Sequence, residues 1–284
     1  MLRTFLAAFV LGVLLAQIAA AKHPARHVSQ MIQAHFIRHG VRLPSHAFTK
    51  ALREAAIDIS HLNCHSSTLV IVAMANEEAL KLTVPLFLRS LKRVKVSGGK
   101  NAGETFDARL VVVAWSLDSL KMCIDLQRNF SHQCVRDAQH FPGKESFGFH
   151  SDGFHALGFA KVKYILNSLS AGHDVLFLDA DVQLLRDPVP YIYQRDGDMF
   201  VMMEKCLVYN VSRPITFRRS EPDVWIPPLN IGSLYFKATA GVTRCVYNWI
   251  WDMYGQVPNR AHVWDQVGMS GGMSGVTSSQ AVVG

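Results

Sequence analysis

The feature that most constrains this chain is a series of short, wholly apolar runs separated by helix-length stretches. Thr68–Ala75 (TLVIVAMA), residues 110–115 (LVVVAW), residues 175–178 (VLFL) and residues 199–203 (MFVMM) carry no polar alternation after their first position. A strand with one wet face alternates, so runs like these are strands buried on both faces. Residues 77–91, 118–129 and 154–169 between them read as helices. In the last, Val162, Ile165, Leu166 and Leu169 fall at helical spacing, and Gly172 is placed to terminate it. Residues 97–103 (SGGKNAG) read as a loop. Strands alternating with helices predict an α/β fold, a mainly parallel sheet with helices on both faces.

The flanks of this core have a different character. Arg3 precedes an apolar stretch over residues 5–21, which ends in Ala19-Ala20-Ala21 before Lys22. That layout is a signal peptide or a signal anchor over residues 1–21; a full membrane span takes ~20 residues. Either form sends the remainder into the secretory pathway, as a secreted or a single-pass type II protein, with membrane anchoring through residues 5–21 in the second case. The sequons Asn129-Phe130-Ser131 and Asn210-Val211-Ser212 suit that compartment. Residues 22–66 hold more than half of the 13 histidines without a sustained apolar face, and read as a stem ahead of a globular domain over residues 67–267. His61, Cys64 and His65 offer a sharper reading as a metal cluster, but no second ligand pair accompanies them.

The five cysteines include no C-x-x-C, which removes zinc-finger spacing. Cys123 and Cys134 are the nearest pair, and a disulfide or buried free thiols both remain open. The net charge of +7 is scattered, with no basic run interleaved with aromatics. Nucleic acid is therefore not the expected partner, and an anionic substrate accounts for the charge equally well.

The chemistry concentrates at Val175-Leu-Phe-Leu-Asp179-Ala-Asp181. A lone D-x-D carries little information, and the chain has another at Asp196-Gly197-Asp198. The first is distinguished by following a buried strand. In an extended chain, residues two apart share a side, so both carboxylates would point one way. They repel unless a cation lies between them, and a hard divalent ion sharing phosphate oxygens is the natural one. Ligands also bind beyond the carboxyl ends of strands in open α/β sheets.

Phosphohydrolase readings compete. FLDADV fits the opening motif of haloacid-dehalogenase-type phosphatases, although there it normally begins the domain. Arg38-His39-Gly40-Val41-Arg42-Leu43-Pro44 matches the R-H-G-x-R-x-P signature of histidine acid phosphatases, with His173-Asp174 as a possible downstream pair. No buried strand precedes that signature, so it is read as stem.

Residues 154–188 resemble the nucleotide-diphospho-sugar transferase family, which includes plant and algal rhamnogalacturonan xylosyltransferases and extensin arabinosyltransferases. Lys161, Leu169, Gly172, Asp179-Ala-Asp181 and Arg186-Asp187-Pro188 follow its pattern in order. Asn230-Ile231-Gly232 with Tyr235-Phe236 resembles its N-x-G-x-x-F element, and Asp265-Gln266 its D-Q element. The resemblance spans residues 68–266. It implies a GT-A-like fold and a metal-dependent retaining glycosyltransferase of the Golgi lumen. Mn²⁺, or Mg²⁺, would be held by Asp179 and Asp181, and would offset charge on the departing diphosphate. Asn76 and Asp118 would contact the nucleoside, Lys161 the diphosphate or sugar, and Gly232 the substrate. Asn230, Asp265 and Gln266 would be the catalytic positions around sugar and acceptor, stabilising an oxocarbenium-like state. The implied partners are a nucleotide-sugar donor, expected to be a UDP-sugar, and a glycan or glycoprotein acceptor. An inactive carbohydrate- or nucleotide-binding relic of the fold is the alternative. The atypical tail over residues 268–284, rich in Gly, Ser and Val, offers no His, Asp or Glu as a further ligand. A C-terminally incomplete chain is accordingly expected.

Overall fold

The computed structural model describes residues 45–62, 66–136, 152–195, 197–203 and 229–256. Its strands are β1 (Ile57–Asp58), β2 (Thr68–Ala75), β3 (Leu110–Ala114), β4 (Gln133–Arg136), β5 (Asp174–Leu178), β6 (Met199–Met203) and β7 (Leu229–Phe236). Its helices are α1 (His46–Ala55), α2 (Glu77–Leu82), α3 (Val84–Arg93), α4 (Leu117–Leu126), α5 (Asp152–Ser170), α6 (Val189–Tyr193) and α7 (Ala240–Gln256). The strands form one sheet in the order β4-β3-β2-β5-β7-β6, with β1 paired to the start of β2. Pairings β2·β3, β2·β5 and β3·β4 are parallel, while β7 runs antiparallel to both β5 and β6. The α/β class and the mainly parallel sheet predicted from the apolar runs are present.

Alternate residues of each central strand feed two cores. Val70, Val72, Val111, Val113, Val175 and Phe177 pack with α1, α5 and α7 through Phe48, Leu52, Ile165, Leu166, Val246 and Trp249. Ile71, Ala73, Leu110, Val112, Leu176 and Leu178 pack with α2, α3 and α6 through Leu80, Phe87, Leu88, Leu91 and Ile192. Each fully buried side chain of this kind contributes about 1.5–3 kcal/mol of transfer free energy, so neither face tolerates a polar substitution.

Three local departures from the sequence reading have clear causes. The helix expected over 77–91 breaks at Thr83 into α2 and α3. Pro85 opens α3 and has no N–H to continue the ladder of α2. Second, the stem assignment fails at its C-terminal end. Ser45 caps α1 by accepting from the Phe48 amide at 3.2 Å, and Phe48, Ala51, Leu52 and Ala55 bury a stripe at i, i+3, i+4, i+7. Two of those four are alanines, which weakened the apolar signal. Third, β7 is met in the sequence only through the N-x-G-x-x-F element, and β4 and α7 are not foreseen.

Helix α5 ends as expected. Gly172 has φ +89°, its amide donates to Leu169 O at 2.9 Å, and the His173 amide donates to Ser168 O at 3.2 Å. This left-handed closure drops the chain directly into β5. Cys123 and Cys134 form a disulfide, joining α4 to β4. Among the described residues, no helix is long and apolar enough to cross a membrane. The leader and most of the stem lie outside the described residues.

Candidate donor site at the carboxyl end of β5

Parallel pairing sets β2, β3 and β5 with their carboxyl ends on one edge of the sheet. Ala75 is level with Ala114, and Val72 with Phe177. Asp179 follows β5 there, and its amide donates to Gly232 O at 2.7 Å, prolonging the β5·β7 ladder past Leu178↔Ser233. The extended D-x-D expected from sequence is corrected here: β5 ends at Leu178, and the Val182 amide donates to Asp179 O at 3.1 Å, closing a turn. Asp181 sits exposed in that turn, so pleat geometry does not relate the two carboxylates.

The cation that electrostatics requires beside Asp179 is, in the protein itself, Lys161 of α5. Its ammonium lies 2.9 Å from Oδ1 and 3.2 Å from Oδ2 of Asp179, and donates to Ile231 O at 3.4 Å. It also stands 5.3 Å from the centre of the Phe177 ring. The Lys161 side chain is 12% exposed and that of Asp179 37%. Asn230 Oδ1 accepts from the Gly232 amide at 2.9 Å. A β-carbon on Gly232 would stand 3.0 Å from Asn230 Oδ1 and 3.5 Å from Asp179 Oδ2, so glycine is what allows these groups to crowd. The fold thus brings together Lys161, Asp179, Asn230 and Gly232.

Asn76 and Asp118 occupy the same sheet edge beyond β2 and β3. Asn76 Oδ1 accepts from the Ala79 amide at 2.7 Å and so caps α2. Asp118 is exposed in the first turn of α4 and pairs with Lys121 at 2.7 Å, whose hydrogen bond and charge lower its pKa. Sequence reasoning passed over Ser116 and Glu77. Ser116 caps α4 by accepting from the Ser119 amide at 2.8 Å, and its hydroxyl donates to Glu77 at 3.1 Å, tying the two helix N-termini together. The capping pattern S-x-x-S at residues 116–119 was the available signal. Asp265 and Gln266 lie outside the described residues.

The segment after the turn is pinned on its far side. Leu184 N donates to Ser90 Oγ at 3.2 Å, and Asp187 accepts from the amides of Ser97 (2.7 Å) and Val189 (2.8 Å). Asp187 of the R-D-P element therefore holds backbone, including that of the 97–103 loop.

Other expectations resolve differently. Of the second D-x-D, Asp198 pairs with Lys237 at 3.1 Å, and Asp196 lies outside the described residues. Asp174 stands at the opposite end of β5 from Asp179. It accepts from Ser66 Oγ, from Tyr193 OH (2.6 Å), from Tyr235 OH (2.9 Å) and from the Ala238 amide (2.7 Å). Burial, reinforced by the Asp174 charge, pushes the Tyr193 pKa upward. His173 Nδ1 bonds Thr68 Oγ1 at 2.7 Å, and both His173 and Asp174 are buried, which suits a structural pair and not a phosphatase His-Asp. His61 packs its ring against Gly98 and Gly99, while Cys64, His65 and residues 38–44 lie outside the described residues. Among the described residues, Cys123, His132 and Cys134 cluster as three possible ligands, but the two sulfurs are spent in the disulfide.

Residues 105–276 match the nucleotide-diphospho-sugar transferase family. No curated protein matches the chain in sequence. Similar solved structures include the glycosyltransferase GlyE of Streptococcus pneumoniae TIGR4, at 13% identity and TM-score 0.40 over 76% of this chain and 45% of that one. The galactosyltransferase LgtC, in complex with donor and acceptor sugar analogs, is 15% identical with TM-score 0.43 over 75% of this chain and 71% of that one. Mouse xyloside xylosyltransferase 1 is 14% identical with TM-score 0.40 over 73% of this chain and 82% of that one. The chain thus spans less than half the length of GlyE.

Proposed function

Because this chain belongs to the nucleotide-diphospho-sugar transferase family, we propose that it transfers a sugar from a nucleotide-diphosphate donor, with retention, to a glycan or glycoprotein acceptor. The observation that carries this reading is the convergence of Lys161, Asp179, Asn230 and Gly232 at the carboxyl end of β5. That edge is where open α/β sheets take ligands. Its groups divide by role. Asp179 and Asp181 are hard oxygen donors, fitting Mn²⁺ or Mg²⁺ when donor phosphates complete the set. Bound there, the ion would neutralise charge developing on the leaving diphosphate.

The protein's own groups do the rest. Lys161 supplies a mobile positive charge at the phosphates. Asn76, Glu77 and Ser116 line the rim beyond β2 and β3, and with Asp118 they suit the polar face of a nucleoside. Asn230, whose Oδ1 accepts from the Gly232 amide, is assigned to the sugar, with Asp265 and Gln266 as further positions there. In the transfer the bond between the anomeric carbon and the diphosphate oxygen breaks. The acceptor oxygen then bonds that carbon on the same face as its proton passes to the departing diphosphate. The donor proposed is a UDP-sugar. The leader and sequons support a Golgi-lumenal location, anchored or secreted.

A panel of nucleotide sugars tested by thermal shift with and without Mn²⁺ checks this. One donor should stabilise the protein in an Mn²⁺-dependent way, and product should form with an acceptor. Stabilisation without turnover on any acceptor would make it a binding relic of the fold. Indifference to every donor would remove the reading.

A further inference from the structure

We propose that Asn129 is a site of N-linked glycosylation, and that the sugar is added before the Cys123–Cys134 disulfide closes; this rests on the lumenal location proposed above. Asn129-Phe130-Ser131 is an acceptor triplet, and the fold leaves both of its polar ends at the surface. Asn129 ends the turn that follows α4, its amide donating to Leu126 O at 3.0 Å, and both Asn129 and Ser131 are exposed. Position in the sheet also suits a glycan. Helix α4 starts beside the donor site and carries the chain back along the sheet, about 15 Å for its ten residues. Strand β4 then starts with Gln133 level with Val111, near the amino end of β3. A glycan on Asn129 therefore projects from the edge opposite Asp179 and leaves the proposed donor site open.

The order of events follows from how the triplet is braced. Cys123 and Cys134, 11 residues apart, close a loop around it. Inside that loop Gln127 Nε2 donates to His132 O at 2.7 Å, and the Ser131 amide donates at 3.0 Å to Oδ2 of the fully buried Asp107. Lys92 of α3 donates to Asn129 O at 2.7 Å and lies 5.6 Å from the centre of the Phe130 ring, which packs on the core. A transferase that must enclose the amide and the hydroxyl together cannot draw this backbone out of the folded protein. In the transfer, Asn129 Nδ2 bonds C1 of a lipid-linked oligosaccharide. The bond from C1 to the lipid diphosphate breaks, the diphosphate keeps the electron pair, and the amide loses a proton. Closure of the disulfide follows by exchange with an oxidised protein dithiol, which is reduced as Cys123 and Cys134 are oxidised.

The first test translates the full chain into microsomes and reads the gel shift on peptide N-glycosidase treatment. Asn129→Gln should lose one glycan relative to wild type, and Ser131→Ala, which removes the acceptor hydroxyl, should lose the same one. A chain protected from protease but unmodified at Asn129 overturns the site and leaves lumenal entry standing, with Asn210→Gln identifying any glycan on the other sequon. A chain that stays open to protease takes down the location and the site together. The second test incubates unglycosylated full chain from bacteria with oligosaccharyltransferase and a lipid-linked oligosaccharide. Reduced, unfolded chain should be modified at Asn129 on the order of tenfold or more faster than folded, oxidised chain, which reacts only through local opening. Equal modification of the two forms, or none of either, overturns the order of events.

Discussion

The amide of Asp179 donates to the carbonyl of Gly232 at 2.7 Å, so the D-x-D turn and the N-x-G segment are joined through backbone. The joint lies where the parallel part of the sheet meets its antiparallel strand. Side chains then cross it twice. Lys161 reaches from α5 to both Asp179 and Ile231 O, and Asn230 turns back onto the Gly232 amide. Displacing any of these groups is expected to shift the others.

Gly232→Ala tests that crowding. The new β-carbon would meet Asn230 Oδ1 at 3.0 Å, closer than nearly all ordinary contacts, and Asp179 Oδ2 at 3.5 Å. Asn230 can yield by giving up its bond to the Gly232 amide, which costs about 1 kcal/mol. We expect a modest stability loss in urea titration and a larger loss of nucleotide-sugar binding in calorimetry. Full donor affinity in a folded Gly232→Ala protein would show that Asn230 takes no part.

The two carboxylates of the D-x-D should behave differently on removal. Relief of mutual repulsion alone would leave both alanine variants as stable as wild type or more so. Asp179, however, partners a largely enclosed ammonium, whereas Asp181 is exposed in the turn. Asp179→Ala should therefore lose about 1–3 kcal/mol in chemical denaturation, the cost of taking one charged acceptor from an enclosed charged donor. Asp181→Ala should lie within about 0.5 kcal/mol of wild type. Both should lose Mn²⁺-dependent donor binding. Equal stabilities for the two variants would contradict the ion pair's contribution.

What the sequence made legible was set by contrast in side-chain character. The runs at β2, β3 and β5 are so continuously apolar that only buried strands accommodate them, and Gly172 announced the end of α5. Alpha1 escaped notice because half its buried stripe is alanine, and histidines surround it. The antiparallel direction of β7 was not legible, since LNIGSLYF interrupts its apolar residues with Asn230, Gly232 and Ser233 and does not read as a strand at all. The identity of the cation beside Asp179 was equally hidden. Electrostatics demanded one, but only packing of α5 across the sheet shows that Lys161 fills the position. The turn at Asp179 was missed because a D-x-D after a strand reads the same whether the strand continues or stops.

Asp174→Asn should be costly although it changes one atom. Oδ1 accepts from Ser66 Oγ and the Ala238 amide, and Oδ2 accepts from the hydroxyls of Tyr193 and Tyr235. An asparagine has one oxygen, so whichever way it turns, its NH₂ faces two donors. The tyrosine hydroxyls can rotate to accept, so the favoured orientation places nitrogen toward them. About 2–4 kcal/mol of stability should be lost, from weakened charge-assisted bonds at a fully buried site. Urea denaturation measures it. Donor binding by the folded fraction should be unchanged, because Asp174 is at the other end of β5 from Asp179.

Acid should destabilise this protein from a higher pH than its carboxylates alone would dictate. His132 and His173 are both buried, and burial lowers each pKa from its ordinary 6.5, against the opposing pull of the Cys123 carbonyl on the first and of Asp174 on the second. Below about pH 6.5 the unfolded chain takes up protons at these two positions that the folded chain does not. Stability therefore falls as pH drops through that range, until the folded imidazoles also charge. Each histidine contributes a slope of up to about 1.4 kcal/mol per pH unit. Urea titrations between pH 7.5 and 5 should show this decline, and His132→Gln or His173→Gln should each flatten it. A stability profile that stays level between pH 7 and 5.5 in the unmutated protein would mean that both imidazoles charge freely in the fold.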